Sequence, residues 1–400
     1  MSTVTGLGTT FNLPNYHGEL ISVTPDDTPL LSATGGLTGG GGQVGSTIFE
    51  WQTEDLRDPD PTGALEGASA PAGESRARAN VSNVVQIFHR AVDTSYTKQA
   101  TSQQYTSRSS APYFSADGIA NPVVDEHTHQ VMLALKTIAR DVNYTFWHGV
   151  QAIPTTNGSA RQTAGLLSVV TTNRTATGEV TAKSASTDTV SSTAHGMDNG
   201  DKVIFTDVGV STAIRPDRVY YVVGKTTDAF KVAATLSGAA ITIGTATVSY
   251  IEPATALTVA VLEEAMQGVY DNGGISGQGT ATLFCSSRQR RALSAAYANE
   301  YGKTDLFGDS RNVGGVAMDT VITNFGRLNV VIDRALAPDT IAVVSLEQIQ
   351  PVYLAIPGKG VLFEESIAKT GASEKSQIYG EIGLKYGNAL AHGVIRGLAV

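Results

Sequence analysis

The stretch from Asn121 to His148, NPVVDEHTHQVMLALKTIARDVNYTFWH, constrains the fold more than any other because it carries the local signals of one long helix. Asn121 suits the N-cap, Pro122 suits the first helical position, and Asp125 and Glu126 place negative charge at the positive end of the dipole. Val124, Val131, Leu135, Ile138, Val142 and Phe146 then fall on one stripe at the helical period, and Gly149 follows the last turn. Lys136 and Arg140 fall off that stripe. A chain that must bury one face of so long a rod needs other elements packed along it.

Those elements are read largely as strands. The 400 residues are 41% hydrophobic and 16% charged, enough to build real cores. Forty-two glycines, with much Thr, Ser and Val, favour turns and strands over a helical bundle, so the expected class is mixed α+β. A net charge of −9 argues against a dedicated nucleic-acid binder, which must displace phosphate counterions. Cys285 is the single cysteine, so no disulfide framework or thiolate metal cluster exists, and its neighbours Leu283 and Phe284 place it on a buried strand as an inert thiol. The N-terminus has no charged region followed by an apolar run, and nowhere do 18 apolar residues occur together. The chain therefore reads as soluble and intracellular at synthesis.

In chain order, residues 1–45 end in GGLTGGGGQVG and read as an extended, mobile arm, since glycine's backbone entropy opposes secondary structure. STIFEWQTED and VVQIFHRAVDTSYT alternate apolar and polar residues, which predicts a strand pair. The proline- and glycine-containing segment between them predicts a long ribbon with an irregular tip. A two-stranded ribbon cannot bury Phe49, Trp51, Phe88 and Tyr96 against itself, so these four are the candidate intersubunit contacts. From Thr175 to Glu252 the chain becomes Thr-, Ser- and Val-rich with short alternating runs, an all-β module that interrupts one larger domain. Helical signal resumes in LTVAVLEEAMQGVYDNGG, capped by Thr258 and ended by Gly273 or Gly274. TATLFCSS reads as a buried strand, and the helix after it is capped by Ser286 or Ser287. A hairpin at Asn324–Gly326, the strand IAVVSL and a terminal strand pair in IYGEIGLKYGNALAHGVIRGL close the chain.

Motifs for chemistry fail one by one. Gly224-Lys225-Thr226 and Gly302-Lys303-Thr304 lack the first glycine of a phosphate loop, which Val219 and Tyr297 replace. Asp58 to Ser69 starts like a calcium loop but has serine where the bidentate carboxylate belongs. His127 and His129 are two apart on a helix and point some 200° apart, so they do not form a metal pair. Arg288, Arg290 and Arg291 open a helix where positive charge is unfavourable and read as a solvated face. No catalytic, cofactor-binding or metal residues are nominated.

The order of glycine-rich arm, strand pair with a long tip, long helix, and helix-strand-helix alternation from Leu257 to Tyr301 resembles tailed-phage major capsid proteins of the Hong Kong 97 type. FEWQTEDLRDP, ALKTIARDVNYTFWHG and GEIGLKYGNALAHGVIRGL are especially similar to one branch of that family. The resemblance implies an α+β capsid fold: an N-terminal arm (1–45), an extended β-ribbon loop (46–97) and a peripheral domain with the spine helix and the start of the axial domain (98–174). An inserted β domain (175–252) follows, and then the axial domain with the closing strands of the peripheral domain (253–400). It also implies no enzyme and no cofactor, but self-assembly of hexamers and pentamers into an icosahedral virion shell around double-stranded DNA, built in the host cytoplasm. Implied partners are the portal, a decoration protein and packaged DNA contacted without sequence preference, with no membrane. No long, charged helical segment precedes the arm, so a separate scaffolding protein is expected. Two other readings compete: an encapsulin-like compartment holding protein cargo, and a hydrolase with a β binding insert, for which no spacing supplies the carboxylate pair.

Overall fold

A computed structural model describes residues 23–400 except 58, 71–72, 74–75, 77, 103–125, 157, 177, 254, 276–280, 302–306, 314–315 and 369–370. In chain order, α1 (Pro29–Ala33) precedes β1 (Gly42–Val44), β2 (Ile48–Thr53), β3 (Ala79–Val84), β4 (Gln86–Ser95), α2 (Tyr96–Ser102), α3 (Glu126–His148) and α4 (Leu166–Val169). Next come β5 (Arg174–Ala176), β6 (Glu179–Ser186), β7 (Thr189–Ser191), β8 (Lys202–Asp207), β9 (Val219–Val223), β10 (Ala229–Ala233) and β11 (Ala246–Ile251). The remainder is α5 (Val259–Asp271), β12 (Ala281–Cys285), α6 (Ser287–Tyr301), β13 (Phe307–Val313), β14 (Val316–Thr323), β15 (Gly326–Ile332), β16 (Ile341–Ser345), β17 (Gln350–Leu354), β18 (Leu362–Ser366), β19 (Ser373–Lys385) and β20 (Gly393–Arg396). The class is mixed α+β.

By internal contact the chain forms two compact units, one of residues 1–26, 89–138 and 363–379, the other of 27–88, 139–362 and 380–400. In the first, β4 lies beside the leading half of β19, with His89 against Gln377 at 3.1 Å and Asp93 paired to Lys375 at 3.1 Å. His127, on the first turn of α3, bridges the hydroxyls of Thr94 (3.2 Å) and Ser376 (3.0 Å). Two hydroxyls satisfy its ring, so it is a structural histidine. Lys136 pairs with Asp26 at 2.6 Å on the exposed side of the helix.

In the second unit a seven-stranded sheet runs β13-β14-β15-β12-β16-β20-β5. β12, the strand of Cys285, is buried along its whole length and lies between parallel β15 and antiparallel β16. Burial pushes the Cys285 thiol up to about 12, which keeps it inert. Val259, Leu262, Met266 and Val269 of α5 pack on Leu283, Val330 and Val343 of this sheet. Thr258 caps α5 by accepting from the Val261 N–H at 3.3 Å, and Gly273, at φ +81°, ends it. Ser286 caps α6, accepting from the Gln289 N–H.

The trailing half of α3 is fixed to this sheet by a fully buried carboxyl. Asp333, just past β15, accepts from Asn143 Nδ2 (3.2 Å), Trp147 Nε1 (2.8 Å) and the Ala335 N–H (2.8 Å). Burial pushes this carboxyl above its ordinary range against the pull of those donors. Val131, Ile138, Val142 and Phe146 are buried, but Leu135 is only half-buried, and Asn143 and Trp147 join the buried face because Asp333 draws them in. Asn121, Pro122, Val124 and Asp125 lie outside the described residues. Gly149, after the helix, tolerates no side chain, because a Cβ there would lie 2.3 Å from the Thr163 carbonyl.

Residues 179–251 form a closed barrel, β10-β7-β6-β11-β8-β9, with its own core of Val203, Phe205, Val222, Phe230, Val232 and Val248. Its ends join the same stretch of chain: β5 runs parallel to β20, and Thr255 bridges Leu398, two residues beyond β20.

Three expectations change. The glycine run does hold structure: Gly42–Val44 pairs in parallel with Val352–Leu354, because the glycines let the backbone approach Tyr353, where a Cβ on Gly41 would lie 2.0 Å from the ring. The partner of β2 is β3, Thr53 opposite Ala79 and Ile48 opposite Val84, while VVQIFHRAVDTSYT supplies β4 of another sheet. The terminal strands do not pair together. β19 goes to β17 and β20 to β16, a 3-10 turn at Ala389–Ala391 carrying the chain from one sheet to the other.

Burial orders three substitutions on α3. Phe146→Ala is expected to cost about 3–5 kcal/mol and Leu135→Ala about 2. Lys136→Ala, which loses one exposed ion pair, should cost under about 1 kcal/mol. Denaturant titration of the unassembled subunit measures all three, and equal costs would refute the assignment of faces.

Candidate functional site

The four aromatic candidates separate. Phe49 is 8% exposed and packs on Val85 and Val352; Phe88 is 6% exposed. Trp51 lies edge-on to Tyr386 at 4.8 Å and donates from Nε1 to the Gly387 carbonyl at 2.9 Å. Phe49 and Phe88 are covered by their own chain and Trp51 is half-buried by it, which corrects the argument that they have no partner without a second subunit: β2 lies on the chain's own sheet residues rather than standing free. Tyr96 remains 43% exposed. The uncovered apolar surface lies further out, beyond the last pair of β2 and β3, where Leu56 is 82% and Leu65 85% exposed. Along the ribbon body Arg78 reaches Gln52 and Glu54, and Asn80 reaches Glu50, polar pairs on the wetted face opposite Phe49 and Trp51.

A buried charged group sits where the barrel meets the sheet it interrupts. Asp217, in the loop between β8 and β9, places its carboxylate between His148 Nδ1, at 2.5 Å, and the Arg396 guanidinium. All three side chains are nearly withdrawn from water. His148 ends α3, where positive charge suits the dipole, and its Nε2 lies 2.6 Å from the Ala335 carbonyl. Burial opposes ionisation of Asp217, yet His148 and Arg396 outweigh it and hold the carboxyl below its usual range. Burial also works against the Arg396 charge, and Asp217 and Asp339 overcome that, raising it. Arg174 pairs with Glu179 at 2.7 Å beside this group, and a cavity of about 240 Å³ opens there, lined also by Thr206 and Asp207. Sequence reading missed this group. Its signals were Arg215-Pro216-Asp217-Arg218, a charged tetrapeptide inside a Thr- and Val-rich module, and Arg396 inside an apolar terminal run.

Lys225 is paired to Asp198 and its N–H donates to Asn199, so Gly224-Lys225-Thr226 is a turn, while Gly302-Lys303-Thr304 lies outside the described residues. Among the described residues no three His, Cys, Asp or Glu side chains are placed to hold a metal, and no helix is long and apolar enough to cross a membrane.

Comparison with known proteins gives a consistent picture. A family model described as SU10 major capsid protein matches residues 3–399. The major capsid protein of Escherichia phage Phieco32 is 38% identical over 80 residues, 20% of this chain, and the match spans about a fifth (21%) of that relative's length. Among solved structures, the cyanophage A-1(L) capsid asymmetric unit superposes with a TM-score of 0.53 at 13% identity, over 99% of this chain and 100% of that one, a likeness of fold. The SrpI encapsulin of Synechococcus elongatus PCC 7942 reaches 0.48 at 10% identity, over 97% and 92%, too loose a superposition to argue from.

The buried triad generates a pH-dependent expectation. A carboxyl whose folded value is lowered adds stability that is present above its unfolded value, near 4, and is lost as pH falls through the folded value. Asp217→Asn should cost about 3–5 kcal/mol at pH 7, because it strands the buried Arg396 guanidinium, and progressively less below about pH 4. Denaturant titrations of both proteins at pH 7 and pH 3 check the difference; a cost that stays constant with pH would refute an ionised Asp217 carboxylate.

Proposed function

Because the chain belongs to the SU10 major capsid protein family and has the Hong Kong 97-type capsid fold, we propose that it is the repeating subunit of an icosahedral virion shell that encloses double-stranded DNA. The observation that carries this reading is the family match over residues 3–399, which includes the ribbon, the long helix and the closing strands. The ribbon supports it physically. Beyond β2 and β3 the chain holds Leu56 and Leu65 in water, and a second subunit that covered them would gain about 25 cal/mol for each Å² of apolar surface buried. Assembly is thus self-association. The scaffolding protein, portal and decoration protein are proposed as its partners, DNA as non-specifically contacted cargo, and the host cytoplasm as the place of assembly. The net charge of −9 fits a shell that contacts DNA without gripping its sequence.

Electron microscopy of the protein expressed alone and with the scaffolding protein tests the proposal: closed particles are expected, and their absence in both preparations would overturn it. Particles that enclose a dedicated protein cargo rather than DNA would instead support an encapsulin-like compartment. Shortening residues 58–76 to a tight turn should leave soluble subunits or capsomers with unchanged far-UV dichroism, whereas normal shells would exclude the ribbon tip from the lattice. Replacing residues 179–251 by a Gly/Ser linker should still permit closed particles, because the barrel's core is its own.

A further inference from the structure

The inserted barrel and the sheet it interrupts have separate apolar interiors. The barrel's buried cluster runs from Ala185 to Tyr250 and the sheet's from Val259 to Leu398, and the two share no residue. Polar ties join them. One is Arg174 with Glu179, five residues apart and beside the connection from β5 into β6, where it cannot restrain the far side of the barrel. Another is Lys202, whose ammonium reaches the Val400 carbonyl. The third is the Asp217 carboxylate, set between His148 and Arg396.

Asp217 differs from the other ties in two respects. Its partners come from two separate elements, the end of α3 and β20, so it fixes direction as well as distance. Its backbone sits at φ +60°, in the left-handed region that residues with a Cβ enter rarely and at a cost, Asp and Asn more readily than most. The strain is local to the loop that makes the contact. The cavity of about 240 Å³ beside it shows that the surrounding surfaces do not close tightly, and buried Thr206 Oγ1, Arg174 Nε and Arg396 Nε face it without protein partners.

We propose that the Asp217 loop is a latch: one strained, charged peg holds the inserted barrel at a fixed orientation on the sheet, and without it the barrel moves as an intact module on its two connections. The two clusters share no residue, and the apolar contact of Ile204 and Ile251, buried outside both, attracts without fixing direction, so orientation falls to the peg. The latch is a property of the folded subunit, and its failure would leave the shell reading untouched.

The test uses the full-length, unassembled chain with spin labels at Val210→Cys in the barrel and Tyr270→Cys on α5, both exposed positions. The natural Cys285 is buried and stays unlabelled. Asp217→Gly accepts the left-handed backbone without strain but has no carboxylate. It should broaden the interlabel distance distribution at least twofold, while hydrogen exchange in β8, β9, β12 and β16 stays as slow as in the parent. Lys202→Ala should broaden it less. An unchanged width in Asp217→Gly, or a loss of protection in β8 and β9, would overturn the proposal, the first by showing that other contacts hold the barrel and the second by making the peg part of its folding. Asp217→Asn, which also tolerates the left-handed backbone and deletes the charge, gives the same two readings if the glycine variant does not fold.

Discussion

One buried carboxyl decides where the long helix can lie. Asp333 is sealed from water and takes donors from Asn143, Trp147 and its own loop, and Asn143 turns its carbonyl oxygen to the Leu31 N–H. A buried acid that lacked those donors would be costly, so helix, sheet end and α1 must meet in one register or not at all. Apolar packing along Val142 and Phe146 supplies attraction without direction. The carboxyl supplies the direction, and Trp147, held by it, meets Phe284 of the central strand edge-on at 5.2 Å.

Elsewhere the chain uses the opposite arrangement. The barrel closes round its own apolar interior, and charged groups stand where it meets the larger sheet, with Ile204 and Ile251 buried outside that interior. Charged groups at close range specify geometry while adding little net stability, since their attraction is set against the cost of removing them from water. All five non-glycine residues with positive φ among the described residues, Ala182, Thr187, Ala194, Asp217 and Ser237, lie in the barrel or its loops. A six-stranded closure over so few residues needs sharp corners, and only at Asp217 does the strained corner also carry a buried charge.

Much of this was legible in sequence. The period of α3, the caps at Thr258 and Ser286, the two-residue hairpin at Asn324-Phe325 and the mostly apolar strand at Cys285 each rest on forces acting within a few residues. The misreadings share a cause in long-range pairing. Strand β3 is polar, ANVSNV, and was passed over for the apolar run that follows it, because pairing with β2 is settled by the partner and the turn rather than by apolar pattern. The aromatic residues of β2 looked uncovered because the residues that cover them, Val352 and Tyr386, come some 300 positions later. Asp217 was invisible for the same reason: an acid in a loop is ordinary until a histidine and an arginine from distant elements arrive beside it.

The place of β20 has a consequence for how the protein is made. This strand, later in the chain than every strand of the barrel, sits inside the seven-stranded order between β16 and β5; it pairs with the barrel's entrance strand, and Leu398, two residues beyond it, bridges the exit. Every strand of the barrel leaves the ribosome well before it. The barrel can therefore close while its host sheet is still missing an interior strand, with its entrance strand and exit bridge waiting for a partner not yet synthesised. The body is complete only once β20 is in place, so loss of this segment would leave a folded barrel on an unfinished sheet.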